Sequence, residues 1–220
     1  MSLNNIIFKV DCDSGKYAGT GHLSRILIIY KLIKKKYKSK YKYYFLISNF
    51  QNSKKILLNK INKKFFFYDK KFEKNLSFLS KNDIIVNDTP KGIDKKFYNF
   101  CEKKKIKKVI SFDDVGPFSQ KNYIVINSIS FFKKKITSSK NKKIFQGAKY
   151  ILLNEKYLKK KTKVRNKKDE LSVLVCTGGA DYKNLLYKIS NFLSYFNNLT
   201  IYVVIGTAVK KNNPIHKLNK

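Results

Sequence analysis

The feature that most constrains this chain is a regular alternation of short apolar runs with longer amphipathic stretches. Ile6-Ile7-Phe8-Lys9-Val10, Tyr43 to Ile47, Phe65-Phe66-Phe67, Asp83 to Val86, Lys108 to Phe112, Tyr123 to Ile126 and Tyr150 to Leu153 each read as a strand. Between them, residues 22–36 carry Leu23, Ile26, Leu27, Tyr30 and Ile33 at helical spacing. Helices are also expected over 51–61 and 94–104, the latter after a turn at Thr89-Pro90. Strands that are apolar at successive positions are buried on both faces, which requires a parallel sheet covered by helices. The expectation for residues 1–153 is therefore an α/β, Rossmann-like lobe. Residues 154–170 are polar and lysine-rich and read as a linker with room for a short helix. A strand over Leu171 to Cys176, a helix from Tyr182 to about Tyr195 and a strand over Thr200 to Ile205 then open a second, partial lobe at 171–220. Two or three strands make a poor independent domain.

Composition narrows the functional classes. With 43% apolar residues the chain can bury a core. No run reaches the roughly 18 apolar residues of a membrane span, and Met1-Ser2-Leu3-Asn4-Asn5 lacks the pattern of a signal peptide. Cys12, Cys101 and Cys176 are too far apart for metal-ligand spacing and odd in number, so no disulfide framework or metal is expected and the cytoplasm is the default compartment. The net charge of +35 rests almost wholly on lysine, because Arg25 and Arg165 are the only arginines. Sequence-reading proteins favour the bidentate arginine fork. The abundant Lys, Asn, Ile, Tyr and Phe share A/T-rich codons, and the lysines are spread through every segment. Solvated faces, and no specific nucleic-acid partner, are the expectation, although such a field attracts polyanions at low salt.

Two glycine loops each follow a strand and open a helix. They are Gly19-Thr20-Gly21-His22 and Thr177-Gly178-Gly179-Ala180-Asp181. Free N–H groups at a helix N-terminus attract anions, and glycine lets a ligand approach the backbone. The first loop lacks the third glycine of a dinucleotide fingerprint, and the second lacks the Gly-Lys-Ser/Thr of a P-loop. His22 is one of two histidines, the other being His216 in the tail. A helix N-terminus disfavours the imidazolium cation, so a histidine there suits general-base work, or it simply caps its helix. Arg25 lies at i+3 on the same face, where it can bind an anion or hold a carboxylate. Asp11 and Asp13 after the first strand, and Asp113-Asp114 after a later one, share that sheet edge. Each can orient the imidazole, position a hydroxyl or make a turn. Asn184, just inside the second-lobe helix, can meet a ligand or solvent.

In order, Asp13 … Gly19-Thr20-Gly21-His22-Leu23-Ser24-Arg25, Ser111-Phe112-Asp113-Asp114 and Thr177-Gly178-Gly179-Ala180-Asp181-Tyr182-Lys183-Asn184 resemble a known family. It is the UDP-2,4-diacetamido-2,4,6-trideoxy-beta-L-altropyranose hydrolases of pseudaminic acid biosynthesis, relatives of spore-coat polysaccharide biosynthesis proteins. The resemblance spans nearly the whole chain. It implies a GT-B-like fold of two Rossmann-like lobes with a cleft between them. It implies a cytoplasmic hydrolase acting on a UDP-sugar, without a cofactor. His22 takes the place of the catalytic base. Asp13, Gly19, Gly21, Arg25, Asp113 and Asp114 fall on the substrate side, and Gly178, Gly179 and Asn184 at the diphosphate. The chain departs from the pattern at Asp11, where the family often has arginine, and at Asp88-Thr89-Pro90, where it tends to have Asp-x-Tyr. Family members also extend past the position of Lys220, so only part of the second lobe is expected here. A GT-B glycosyltransferase and a non-catalytic nucleotide-sugar-binding relative remain the alternatives.

Overall fold

The structure is a computed structural model that describes residues 4–11, 21–48, 65–68, 72–89, 92–114, 116, 123–128, 143–158, 171–179, 181, 183–206 and 209–218. These fall into two compact units, one with residues 4–11 and His22–Asn154, the other with Gly21 and the residues from Glu155 on.

The first unit is an α/β domain built on a seven-stranded sheet. Its strands are β1 (Asn4–Asp11), β2 (Tyr41–Ser48), β3 (Phe65–Tyr68), β4 (Ile84–Asp88), β5 (Lys108–Phe112), β6 (Ile124–Asn127) and β7 (Lys143–Gln146). Every pairing is parallel, in the spatial order β3-β2-β1-β4-β5-β6-β7. The chain thus builds outward from β1 to β3, returns to β1 and builds the other way. The order reverses between β1 and β4, and in open α/β sheets the carboxyl ends of the strands at such a point form a natural crevice. This is a Rossmann-like arrangement.

The strand residues explain why both faces are covered. Ile6, Phe8 and Val10 point to one side, where they meet α1 (Gly21–Tyr37) through Leu23, Ile26, Leu27 and Tyr30. Burying each of those side chains is worth about 1.5–3 kcal/mol relative to leaving it in water. Ile7 points to the other side, as do Leu46, Ile85 and Val109. There they meet α2 (Phe72–Asn75), with Phe72, and α3 (Lys95–Lys103), with Phe97, Tyr98, Phe100 and Cys101. Asp94 caps α3 by accepting from the Phe97 N–H at 2.8 Å, which places its start one residue after the expected boundary. Lys9 is fully buried on this second side, its ammonium 3.6 Å from Asp94 and 5.3 Å from the Phe97 ring centre. At the amino end of β4, buried Asp83 accepts from the Asn5 N–H at 2.7 Å and the Ser80 N–H at 2.7 Å.

One expectation is corrected, and one element is new. Tyr150 to Leu153 is not a strand. The last strand of the sheet is β7, and Gly147, at φ +115°, then turns the chain into a 3-10 turn at Ala148–Tyr150. The α2 helix was not anticipated, because four residues are too short to show a period. The helix expected over 51–61 lies outside the described residues.

The second unit opens with the short helix α4 (Glu155–Leu158). It continues with β8 (Leu171–Cys176), α5 (Leu185–Leu193) and β9 (Leu199–Val204), with β8 and β9 parallel. A small core of Val175, Leu186 and Ile215 lies on one face of this pair. Leu174, Tyr202 and Val204 are exposed. Among the described residues, no helix is long and apolar enough to cross a membrane.

Candidate functional site

At the carboxyl ends of β1, β4 and β5, one polar cluster joins α1 to the sheet. Helix α1 begins at Gly21, so His22 sits in its first turn and Arg25 one turn later. Both reach Asp88, the last residue of β4, whose side chain is fully buried. His22 Nδ1 lies 2.7 Å from Asp88 Oδ1. Arg25 donates twice to the same carboxylate, from Nε to Oδ2 at 2.6 Å and from Nη2 to Oδ1 at 2.6 Å. Its third arm, Nη1, donates to Asp113 Oδ2. The guanidinium also lies 5.5 Å from the centre of the Phe112 ring.

Asp113 is itself held. It has a left-handed backbone at φ +46°, and its N–H donates to the Ile126 carbonyl at 2.9 Å. Ser128, just past β6, donates to Asp113 Oδ1 from its backbone N–H at 2.9 Å and its hydroxyl at 3.0 Å. The ends of β4, β5 and β6 therefore converge on Arg25.

The electrostatics follow from this count. One guanidinium faces two carboxylates, and His22 adds a positive charge only when protonated. Burial opposes the charge on Arg25, but its hydrogen bonds and charge contacts with Asp88 and Asp113 outweigh that and hold its pKa above the ordinary arginine value. Asp88 accepts both hydrogens of this fork through its carboxylate oxygens. An ionised carboxylate only accepts, so Nδ1 of neutral His22 carries the hydrogen and Nε2 keeps its lone pair. Nε2 has no hydrogen-bond partner among the described residues, and the His22 side chain is 25% exposed. An imidazole held in this way can act as a general base.

The other expected residues divide into three groups. Asp13 and Gly19 lie outside the described residues. Gly21 is exposed at the head of α1, and a Cβ there would meet nothing within 4 Å, so among the described residues no neighbouring group requires glycine. Asp114 faces inward. It is fully buried and accepts from Ser111 Oγ at 2.6 Å, the Gly116 N–H at 2.9 Å and the Ile93 N–H at 3.3 Å. It ties the end of β5 to the turn at Gly92, whose φ of +73° and lack of a side chain let the carboxylate close in. A Cβ on Gly92 would stand 2.0 Å from Asp114 Oδ1. Asp114 thus shapes the loop beside the cluster, while Asp113 joins the cluster.

In the second unit, Gly178 takes φ +85° and a Cβ on it would meet nothing within 4 Å. Gly206, after β9, approaches this loop so closely that a Cβ on it would lie 2.4 Å from the carbonyl oxygens of both Gly178 and Gly179. Asn184, at φ +53°, precedes α5 without capping it, and its Oδ1 accepts from Asn213 Nδ2 at 3.0 Å. Buried Asp181 provides the cap instead, accepting from the N–H groups of Leu185 at 2.8 Å and Leu186 at 3.2 Å. The two left-handed residues, Asp181 and Asn184, are why α5 starts at Leu185 rather than at Tyr182.

Sequence reasoning missed Asp88 and Ser128. The strand expected over Asp83 to Val86, before the turn at Thr89-Pro90, runs two residues further to Asp88, a residue given no site role from the sequence. The available signal was an acidic residue at the carboxyl end of an apolar strand. Among the described residues, no group of three or more His, Cys, Asp or Glu side chains could hold a metal ion. No protein-family model matches the sequence, and no curated protein matches it.

Proposed function

We propose that this chain is a nucleotide-sugar hydrolase of GT-B type that releases UDP from a UDP-diacetamido-trideoxyhexose, as in pseudaminic acid biosynthesis. The observation that carries the reading is His22, held by buried Asp88 through Nδ1 with Nε2 left to act, at the switch point of a parallel sheet. The order of the three sequence blocks supports the choice of substrate. Water attacks the anomeric carbon as His22 Nε2 takes its proton. The bond from that carbon to the β-phosphate oxygen breaks, and its electron pair leaves with UDP. The turn at Gly178-Gly179 is the proposed diphosphate contact, with the open position at Gly178 in support. A cytoplasmic location follows from the substrate class on this reading.

The test is UDP release from UDP-2,4-diacetamido-2,4,6-trideoxy-β-L-altropyranose in ¹⁸O-labelled water. The label is expected in the free sugar, with none in UDP. Removing a general base costs about 10²–10⁴-fold in rate, so His22→Ala is expected to lose that much while Lys35→Ala keeps full activity. Label in the phosphate of UDP, or equal rates for wild type and His22→Ala, would refute the proposal.

A further inference from the structure

We infer that Arg25 is a positioning residue, which fixes the tautomer and orientation of His22 by way of Asp88 instead of contacting substrate. The inference deepens the hydrolase reading, but its structural half can be tested without any substrate. All three arms of the guanidinium are engaged by protein carboxylates, two at Asp88 and one at Asp113. Asp113 is anchored in turn by the N–H and hydroxyl of Ser128, so Arg25 is gripped from the far side as well. Three of the five N–H donors, including the Nε–Nη2 fork, are committed in this way and are not offered to a diphosphate.

Its effect on His22 follows from the chemistry of Asp88. That carboxylate is fully buried, and among its hydrogen bonds two of three come from Arg25. A buried carboxylate deprived of its cation relieves the cost by taking a proton from solvent. A protonated carboxyl can donate, and the nitrogen facing it is Nδ1 of His22. The imidazole then keeps its hydrogen on Nε2 and presents its lone pair to Asp88. The base is inverted without any change in the histidine itself. Facing His22 are Asp88 from β4, Arg25 from α1 and, through Arg25, Asp113 from the end of β5. No other titratable group in the described hydrogen bonds touches this set.

The chain has only two histidines, so ¹⁵N-labelled imidazole signals can be assigned with one variant, His22→Ala, leaving His216 as internal reference. In wild type, neutral His22 is expected mainly as the Nδ1–H tautomer. In Arg25→Met the Nε2–H form should dominate, and in Arg25→Lys, which keeps the charge but not the fork, the populations should be intermediate. An unchanged tautomer in folded Arg25→Met overturns the inference. If Arg25→Met does not fold, Asp113→Asn loosens the far arm of the guanidinium, and the same spectrum should shift part-way; no shift overturns the inference there too.

Kinetics separate positioning from substrate binding. Losing a residue that orients a catalytic group costs on the order of 10–100-fold, here expected in kcat with KM nearly unchanged in Arg25→Lys. A raised KM with unchanged kcat would return Arg25 to the substrate and overturn the proposal. If wild type releases no UDP, the hydrolase reading fails while the tautomer result stands.

Discussion

Replacing Asp88 by asparagine keeps the shape of the side chain and removes its charge. In the folded protein this carboxylate has no solvent exposure and accepts three hydrogen bonds, two from Arg25 and one from His22. Asparagine offers only one accepting oxygen. Its amide N–H₂ would face either Arg25 Nε or the Nη2–His22 side, and Arg25 is a donor in both directions. Removing one partner of a buried ion pair costs about 3–5 kcal/mol. Arg25 retains Asp113 and is 18% exposed, which relieves part of that cost, so we expect a loss of about 2–4 kcal/mol. The assay is urea denaturation followed by circular dichroism. With a slope of about 2–3 kcal/mol/M the midpoint should fall by roughly 1 M at unchanged slope. Arg25→Met closes a double-mutant cycle, and contacting partners of this kind couple by about 1–3 kcal/mol. A loss below about 1 kcal/mol, or a double mutant whose effect is the simple sum of the two singles, would refute the claim that this pair joins α1 to the sheet.

Three further outcomes follow from the geometry. Gly92→Ala should destabilise by at least about 2 kcal/mol, from left-handed strain and collision with Asp114, whereas Gly21→Ala should stay within about 1 kcal/mol in the same unfolding assay. Burial pushes the Cys101 thiol from 9.0 up to about 12. A raised folded value means its contribution is complete below about pH 9 and is lost as the pH climbs toward 12. The free energy of unfolding should therefore drop across that window by up to about 4 kcal/mol, and less steeply in Cys101→Ala. Gly206→Ala should push the Gly178-Gly179 turn aside, because its Cβ meets two backbone carbonyls that cannot swing away. Weaker UDP binding by calorimetry, with the β1–β7 domain melting as in wild type, is the expected readout.

The sheet was largely legible because its strands are apolar at successive positions, and that pattern has one common explanation in a sheet buried on both faces. What escaped was set by contacts distant in sequence. Lys9 sits in a core that its side chain argues against, and its contacts there include Asp94 and Phe97, brought in by α3. Asp88 was hidden because an acidic residue at a strand end usually signals a turn, and nothing local shows that Arg25, 63 residues earlier, reaches it. Asp113 and Asp114 looked like one motif with one duty. The left-handed backbone at Asp113 sends the two carboxylates to different partners, one to Arg25 and the other to the Gly92 turn. His22 and Arg25 were legible because i, i+3 spacing alone places them together on α1.

Strand β4 carries a buried aspartate at each end, Asp83 against Asn5 and Asp88 against α1. Between them stand Ile84, Ile85 and Val86, followed by Asn87. The three aliphatic residues are nearly interchangeable in shape, so they specify weakly which of them faces which residue of β1. A slide of two positions would keep each side chain on its own face of the sheet. It would also drag both carboxylates out of reach of their donors, at a cost no aliphatic contact could offset. The cluster that holds His22 therefore also holds β4 in register with β1. A chain that reaches the wrong alignment in β4 has lost its hold on the histidine and its most favourable route to a closed core in the same event.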